Sequence, residues 1–236
     1  METQSTAKTK KPWYSIFTTE LLFVLLLLFA LIIFIYAVRM VFILESLQFD
    51  ENVYNAVKPY INPGMTKLML AITFLGKHNL LIPLNFVLIL FFIYRNERWF
   101  ATRVAALSLS SLLLMFMLKF FFQRNRPLQP VIDDVSGYSF PSGHALISVV
   151  FYGLFIHMIW HEVKTSWLRI ILVTVLGILI LLIAFSRIYL NVHYASDVLA
   201  GIAVGFIWLV LSLNIIHRIE KRFVARRALK AEGLEK

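Results

Sequence analysis

Between residues 186 and 197 the chain reads SRIYLNVHYASD, and Arg187, His193 and Asp197 bring a guanidinium, an imidazole and a carboxylate into a stretch flanked by two long apolar segments. Ionisable groups beside membrane spans are costly, by roughly 2.5–3.5 kcal/mol at a span centre on insertion scales, so they read first as functional groups. His193 and Asp197 are four residues apart. On a helix beginning near this point they share one face, and the carboxylate can accept the proton of one imidazole nitrogen. The second nitrogen is then available to attack. Arg187 adds a planar fork of donors that suits phosphate oxygens better than a lysine would.

Two further segments carry related chemistry. KFFFQRNRP, residues 119–127, sets Lys119 and Arg126 seven residues apart, two helical turns and about 10 Å of rise, so that both can point the same way. Pro127 suits the end of that helix. PSGH, residues 141–144, stands where an apolar run begins. Ser142 and Gly143 at a helix start would present unpaired backbone N–H groups to an anion, and the missing glycine side chain lets the anion come close. His144 then lies beside that anion. Three cations, a helix N-terminus and two histidines describe a site for an oxyanion with several oxygens, and phosphate fits best. Phosphoryl transfer asks a protein mainly for positioning and charge neutralisation. One histidine can attack phosphorus while the other protonates the departing alkoxide, general acid catalysis worth about 10²–10⁴ in rate. This arrangement calls for no metal and no other cofactor.

The elements that must position these groups are membrane spans. Of the 236 residues, 60% are hydrophobic and 15% charged, with a mean hydropathy of +0.78, which excludes an ordinary soluble domain. With no cysteine, disulfides, thiolate nucleophiles and cysteine metal ligands are excluded. The net charge of +10 is dispersed over termini and loops beside apolar runs, a pattern of membrane topology rather than of nucleic-acid binding. Residues 1–20 form a polar N-terminal segment with Lys8, Lys10 and Lys11. The apolar run 21–38 is too long for a signal-peptide core and lacks a small-residue cleavage site, so it is expected to remain as the first span. Residues 45–64 suit an interfacial segment. The second span is expected at 79–94 with an outer helix before it, and the others at 100–122, 143–160, 168–185 and 198–216. A basic tail, 217–236, closes a single domain of residues 1–236 with no internal repeat.

With both termini inside, fifteen of the 23 Lys and Arg residues lie on the inner side. The eight outside are Arg39, Lys58, Lys67, Lys77, Lys119, Arg124, Arg126 and Arg187, so the positive-inside rule selects this orientation. Trp13, Trp99, Trp160 and Trp167 then fall at the inner interface, and all three chemistry-bearing segments face outside.

Lys-x6-Arg-Pro, Pro-Ser-Gly-His and Ser-Arg-x5-His-x3-Asp, in this order and on one membrane side, resemble the motifs of the type 2 phosphatidic acid phosphatase superfamily, whose distant members include vanadium haloperoxidases. All eleven motif positions are present. The resemblance implies an all-α fold with a helical core of the PAP2/chloroperoxidase type, here with six transmembrane helices and the motifs within 119–197. It implies that His193 is the nucleophile, Asp197 its orienting partner and His144 the acid for the leaving group, while Lys119, Arg126, Arg187, Ser142 and Gly143 hold the phosphate. The substrate would be a membrane lipid phosphate or diphosphate: phosphatidic acid, phosphatidylglycerol phosphate, an isoprenoid diphosphate or a lipid A type.

Taken singly, these residues have plainer readings: Lys119 could snorkel to the interface, Arg126 and Arg187 could anchor there, Ser142 could simply cap a helix, and His193 and Asp197 could form a structural hydrogen bond. Independent anchors have no reason to reproduce three ordered motifs. His78, His157, His161 and His217 have no matching pattern and receive no role, and Asp133 and Asp134 read as a solvated loop rather than a metal pair. The expectation is therefore a metal-independent lipid phosphatase working through phosphohistidine at the outer face, in a bacterial inner membrane or at the lumenal face of a eukaryotic internal one. Its rivals are a phosphotransferase with an acceptor other than water and a non-catalytic headgroup-binding protein. Oligomeric state and headgroup choice are not encoded in these spacings.

Overall fold

The computed structural model describes residues 13–132 and 136–231. Residues 1–12 of the N-terminal segment, Asp133 and Asp134, and the last five residues of the tail lie outside them. Among the described residues the chain forms α1 (Trp13–Val38), α2 (Gln48–Val57), α3 (Pro63–Phe74), α4 (His78–Tyr94), α5 (Arg98–Phe122), α6 (Gly143–Glu162), α7 (Ser166–Tyr189) and α8 (Ala195–Ala231). Six segments are long and apolar enough to cross a membrane: Leu21–Ile43, Pro63–Tyr94, Arg98–Phe122, Gly143–Glu162, Ser166–Tyr189 and Ala195–Arg227. Helices satisfy most of their backbone groups internally, as a membrane interior requires, and this is the all-α integral membrane architecture expected.

Several boundaries differ from expectation. α1 starts before residue 21 and runs on through a π-helical turn, Arg39–Ile43. α7 continues to Tyr189, which places Arg187 in its last turn rather than in a loop. α8 runs unbroken through most of the basic tail, whose Ala, Arg, Lys, Glu and Leu residues are good helix formers.

The second crossing is a broken helix. α3 and α4 together make one apolar segment, interrupted at residues 75–77, and Gly76 in this turn is buried against α6 and α7. A Cβ on Gly76 would lie 2.4 Å from Ile183 Cγ2 and 2.9 Å from Ser148 Oγ, so only glycine admits this approach. The Leu75 carbonyl freed by the break accepts a hydrogen bond from Tyr152 Oη at 2.8 Å, which restores a partner that the membrane interior cannot supply.

α6 is the central helix: 61% of its apolar window is buried, against 11% for α1. α8 packs against it almost backbone to backbone. A Cβ on Gly201 would come within 2.6 Å of the Ser142 carbonyl oxygen, and one on Gly205 within 2.8 Å of the Leu146 carbonyl oxygen. Small residues four apart are the usual means of such close helix contact in membranes. Here they bring the first turn of α8 against the first turn of α6. At the same end Phe34, Phe42, Phe122 and Phe140 interlock, with centroids 4.8 Å apart for Phe122 and Phe140 and 5.3 Å for Phe42 and Phe140. Phe140 is fully buried. This cluster fixes the end of α5 and the approach to α6 against α1, whereas Phe120 and Phe121 project outward.

Candidate active site

Every residue singled out for chemistry lies at the end of the bundle where α5 and α7 end and α6 and α8 begin. His193 precedes α8 in a tight connection that turns at Asn191, φ 51°, and is held by Val131 N–H donating to the Leu190 carbonyl and Asn191 Nδ2 donating to the Gln129 carbonyl. Tyr189, Leu190 and Val192 are buried against Val57 and Met69, so the imidazole stands on a rigid base. It is 3% exposed.

The expected direct His193–Asp197 hydrogen bond is not formed. Because α8 begins at Ala195, the two residues do not share a helix face, and Nδ1 lies 3.6 Å from Oδ2. Ser139 Oγ stands between them, 3.2 Å from His193 Nδ1, and donates to Asp197 Oδ2. A carboxylate only accepts. The hydroxyl proton therefore goes to Asp197, and Ser139 accepts from His193 Nδ1–H. This fixes the tautomer and leaves the Nε2 lone pair facing Arg126 Nη1 at 3.4 Å. Burial, reinforced by Lys119 and Arg126 and opposed by Asp197, lowers the imidazole pKa to about 3. His193 is thus neutral at ordinary pH.

The seven-residue spacing of Lys119 and Arg126 does not act through two helical turns. α5 ends at Phe122 and Gln123 takes a left-handed conformation, φ 46°, so Arg126 and Pro127 lie in the following loop. The two cations meet instead around the 136–138 backbone: Lys119 Nζ donates to the Tyr138 carbonyl, and Arg126 donates to Gly137, Ser136 and Val192 carbonyls at 2.8, 3.0 and 2.7 Å. A Cβ on Gly143 would be 3.7 Å from Lys119 Cε, so the lysine stands over the start of α6.

At that start Ser142 occupies the N-cap position without making a side-chain cap. Its N–H donates to the Asp197 carbonyl at 2.9 Å, so the unpaired donors of the helix begin at Gly143. Arg187 Nη1 donates to Thr73 Oγ1 at 2.6 Å. Ser142 Oγ and Arg187 Nε are two of four buried side-chain polar atoms without a partner among the described residues. His144, partly exposed, has Arg187, His193, His78 and Arg126 as its charged or titratable neighbours. An apolar cavity of about 270 Å³ opens between α4, α5 and α6, lined among others by His78, Phe86, Leu112, Ile147 and Phe151; of the groups around His144, only His78 reaches it.

Four residues in this assembly escaped the sequence reading. Thr73 and Ser139 are small hydroxyl residues that carry no spacing signal. Arg124 was visible as a second arginine within KFFFQRNRP but was counted only toward topology. It is buried and pairs with both Asp197 and Asp50, and Asp50, on α2, had looked like one more interfacial acid. Away from this end, His157 and His161 stack edge to face at 4.6 Å near the far end of α6.

The family model described as PAP2 superfamily matches residues 99–221, just over half of the chain and including every motif position, and the chain belongs to that superfamily. It is 28% identical over 176 residues to phosphatidylglycerophosphatase B of Bacillus subtilis (strain 168), covering 74% of this chain and 86% of that one. It is 27% identical over 217 residues to an undecaprenyl-diphosphatase of Sulfolobus acidocaldarius, covering 86% and 97%. The crystal structure of the transmembrane PAP2 type phosphatidylglycerolphosphate phosphatase from Bacillus subtilis superimposes with a TM-score of 0.71 at 28% identity, over 84% of this chain and 96% of that one. The chain is accordingly a phosphoric monoester hydrolase of PAP2 type.

Proposed function

We propose that the protein, acting as a single domain, hydrolyses a lipid phosphate or diphosphate at the outer face of a bacterial inner membrane, through a phosphohistidine on His193. The observation that carries this reading is one arrangement: a neutral histidine with Nδ1 committed to Ser139 and Nε2 turned toward a guanidinium, at the same end of the bundle as two clamp donors, Ser142 Oγ and Arg187 Nε, that are buried without partners among the described residues. A buried polar atom without a partner calls for an explanation, and for these two a bound phosphate supplies one.

In this mechanism Lys119, Arg126, Arg187 and the first N–H groups of α6 hold the phosphoryl oxygens. The His193 Nε2 lone pair attacks phosphorus in line, the P–O bond to the lipid breaks, and protonated His144 gives its proton to the departing oxygen. The Asp197 carboxylate, through Ser139, balances the positive charge that develops on His193. Neutral His144 then takes a proton from water, the water oxygen attacks phosphorus, the P–N bond breaks, and inorganic phosphate leaves. The apolar cavity that begins at His78 supports a substrate whose chain stays in the bilayer while its headgroup enters the cationic site. Relatives named for phosphatidylglycerophosphate and for undecaprenyl diphosphate support both headgroup classes for this site.

The outward orientation rests on charge. Trp99, Trp160 and Trp167 and the basic end of α8 lie at the end of the bundle away from the site, which the positive-inside rule assigns to the cytoplasm together with both termini. The test is phosphate release by the purified protein from phosphatidic acid, phosphatidylglycerol phosphate, farnesyl diphosphate and a phosphorylated lipid A, with acid quenching to trap an alkali-stable phosphoenzyme. Turnover without phosphohistidine would refute the mechanism, and no release from any of the four would refute the function.

A further inference from the structure

Asp50 lies on α2, outside all three motifs, yet it is 4% exposed and has three donors around its carboxylate. Oδ1 accepts from Ser196 N–H at 2.8 Å, and Oδ2 accepts from Ser196 Oγ at 2.7 Å and Arg124 Nη2 at 2.8 Å. The other nitrogen of that guanidinium, Nη1, donates to Asp197 Oδ1 and to Ser196 Oγ. The Tyr194 ring lies against its face, 4.0 Å from Cζ. One arginine therefore bridges two buried carboxylates, and the trio carries a net charge of −1. The two oxygens of Asp197 are thereby made distinct: Oδ1 belongs to Arg124, while Oδ2 takes the Ser139 hydroxyl and the Tyr194 N–H, the latter at 2.9 Å.

We infer that Asp50 and Arg124 are positioning residues for the reaction: Asp50 anchors the guanidinium to α2, and the guanidinium holds Asp197 as an anion with Oδ2 turned to Ser139, which sets the proton on His193 Nδ1. The inference rests on the reading of His193 as nucleophile. A purely structural role would not require charge here. Buried ion pairs are weak stabilisers compared with well-packed apolar side chains, and α2 already packs through Val57. The trio differs from a simple brace in what its removal does. Without Arg124, two buried carboxylates lose the one cation that both of them contact, and like charges in one buried site favour protonation of one of them. An Asp197 that carries a proton no longer serves as an acceptor-only partner for Ser139. Removing Asp50 as well returns the net charge to −1 on Asp197 alone.

This gives a sign that packing does not. Asp50→Asn, Arg124→Gln and the double variant are purified in full-length form in detergent micelles, checked for fold by elution profile and melting, and assayed with dioleoyl phosphatidic acid and farnesyl diphosphate. Loss of a hydrogen bond to a charged group is felt at roughly 10- to 160-fold. Arg124→Gln is expected at the upper end and Asp50→Asn at about tenfold, both in kcat, with KM within about twofold because the phosphate clamp is untouched. The double variant is expected to recover at least about tenfold over Arg124→Gln. A double variant at the product of the two single losses, or losses carried by KM, overturns the inference. Should Arg124→Gln fail to fold, Asp50→Asn decides alone, and an unchanged kcat overturns it. A wild-type enzyme that forms phosphohistidine beside unaffected variants sinks this inference only, whereas a wild type without phosphohistidine sinks the parent reading with it.

Discussion

Replacing Ser139 with alanine isolates the hydroxyl between His193 and Asp197, and the geometry bounds the effect. Without it, Nδ1 and Oδ2 remain 3.6 Å apart, about 0.7 Å beyond an ordinary N–H···O bond. Closing that gap means moving a histidine that is 3% exposed or a fully buried aspartate, and the aspartate is tethered by Arg124 and the Tyr194 N–H. The gap therefore stays open, and Nδ1–H loses its acceptor. A hydrogen bond involving a charged group is worth about 1.5–3 kcal/mol. At 1.36 kcal/mol per decade, Ser139→Ala should cost roughly 10- to 160-fold in kcat. Ser139→Thr keeps the hydroxyl and should recover most of that loss if the extra methyl is accommodated. Asp197→Ala removes both hydroxyl acceptor and charge and should cost considerably more. Single-turnover phosphoenzyme formation on the three variants is the assay. Ser139→Ala at wild-type rate would show that His193 and Asp197 pair directly during turnover, and Ser139→Ala as inert as Asp197→Ala would show that the hydroxyl does more than relay a hydrogen bond.

His144→Ala should slow phosphoenzyme formation severely with a lipid substrate and much less with p-nitrophenyl phosphate, whose leaving group needs no proton, while His193→Ala abolishes it for both; rapid-quench trapping reads the difference. Arg187→Lys keeps the charge but loses the planar fork that serves Thr73 and a phosphate together, so kcat/KM should fall by about 10²-fold in phosphate-release assays. The pKa of His193 is about 3 in the fold against 6.5 when unfolded, so between these values the unfolded state binds the extra proton; the stability present above pH 6.5 should fall on acidification by up to about 1.4 kcal/mol per pH unit, and melting of His193→Gln should be flatter over this window. Ser136→Cys should react with an impermeant thiol reagent in intact cells and Thr165→Cys should not; the reverse pattern would place the site on the cytoplasmic face.

What could be read in advance from this sequence was whatever carries a cost in isolation. Lys119, Arg187, His193 and Asp197 are expensive beside apolar runs wherever the chain goes, so their presence signals use before any fold is known. Spans of eighteen or more apolar residues likewise announce themselves. The second crossing was legible as 79–94, which is α4, but the part of α3 in it was not, because residues 68–75 are too short to span alone and only the fit of Gly76 against Ile183 and Ser148 shows that their helix enters the bundle. Extrapolating helical geometry across Lys119 and Arg126 failed at a single residue, Gln123, whose left-handed conformation redirects the chain.

Partnership is a different kind of property, because it exists only between residues that folding brings together. Arg124 and Asp50 are 74 residues apart and Ser139 and Asp197 are 58 apart, so neither pair has a local spacing to betray it. Arg124 occupies no position of the three motifs, and nothing in its sequence neighbours says that it is buried. The sharper signal lay in a mismatch of count. KFFFQRNRP holds three cations where Lys-x6-Arg-Pro needs two, and a buried surplus cation requires a counter-charge. Asp50 and Asp197 supply it, and Ser139 links that charge to His193 Nδ1, the nitrogen opposite the one proposed to attack.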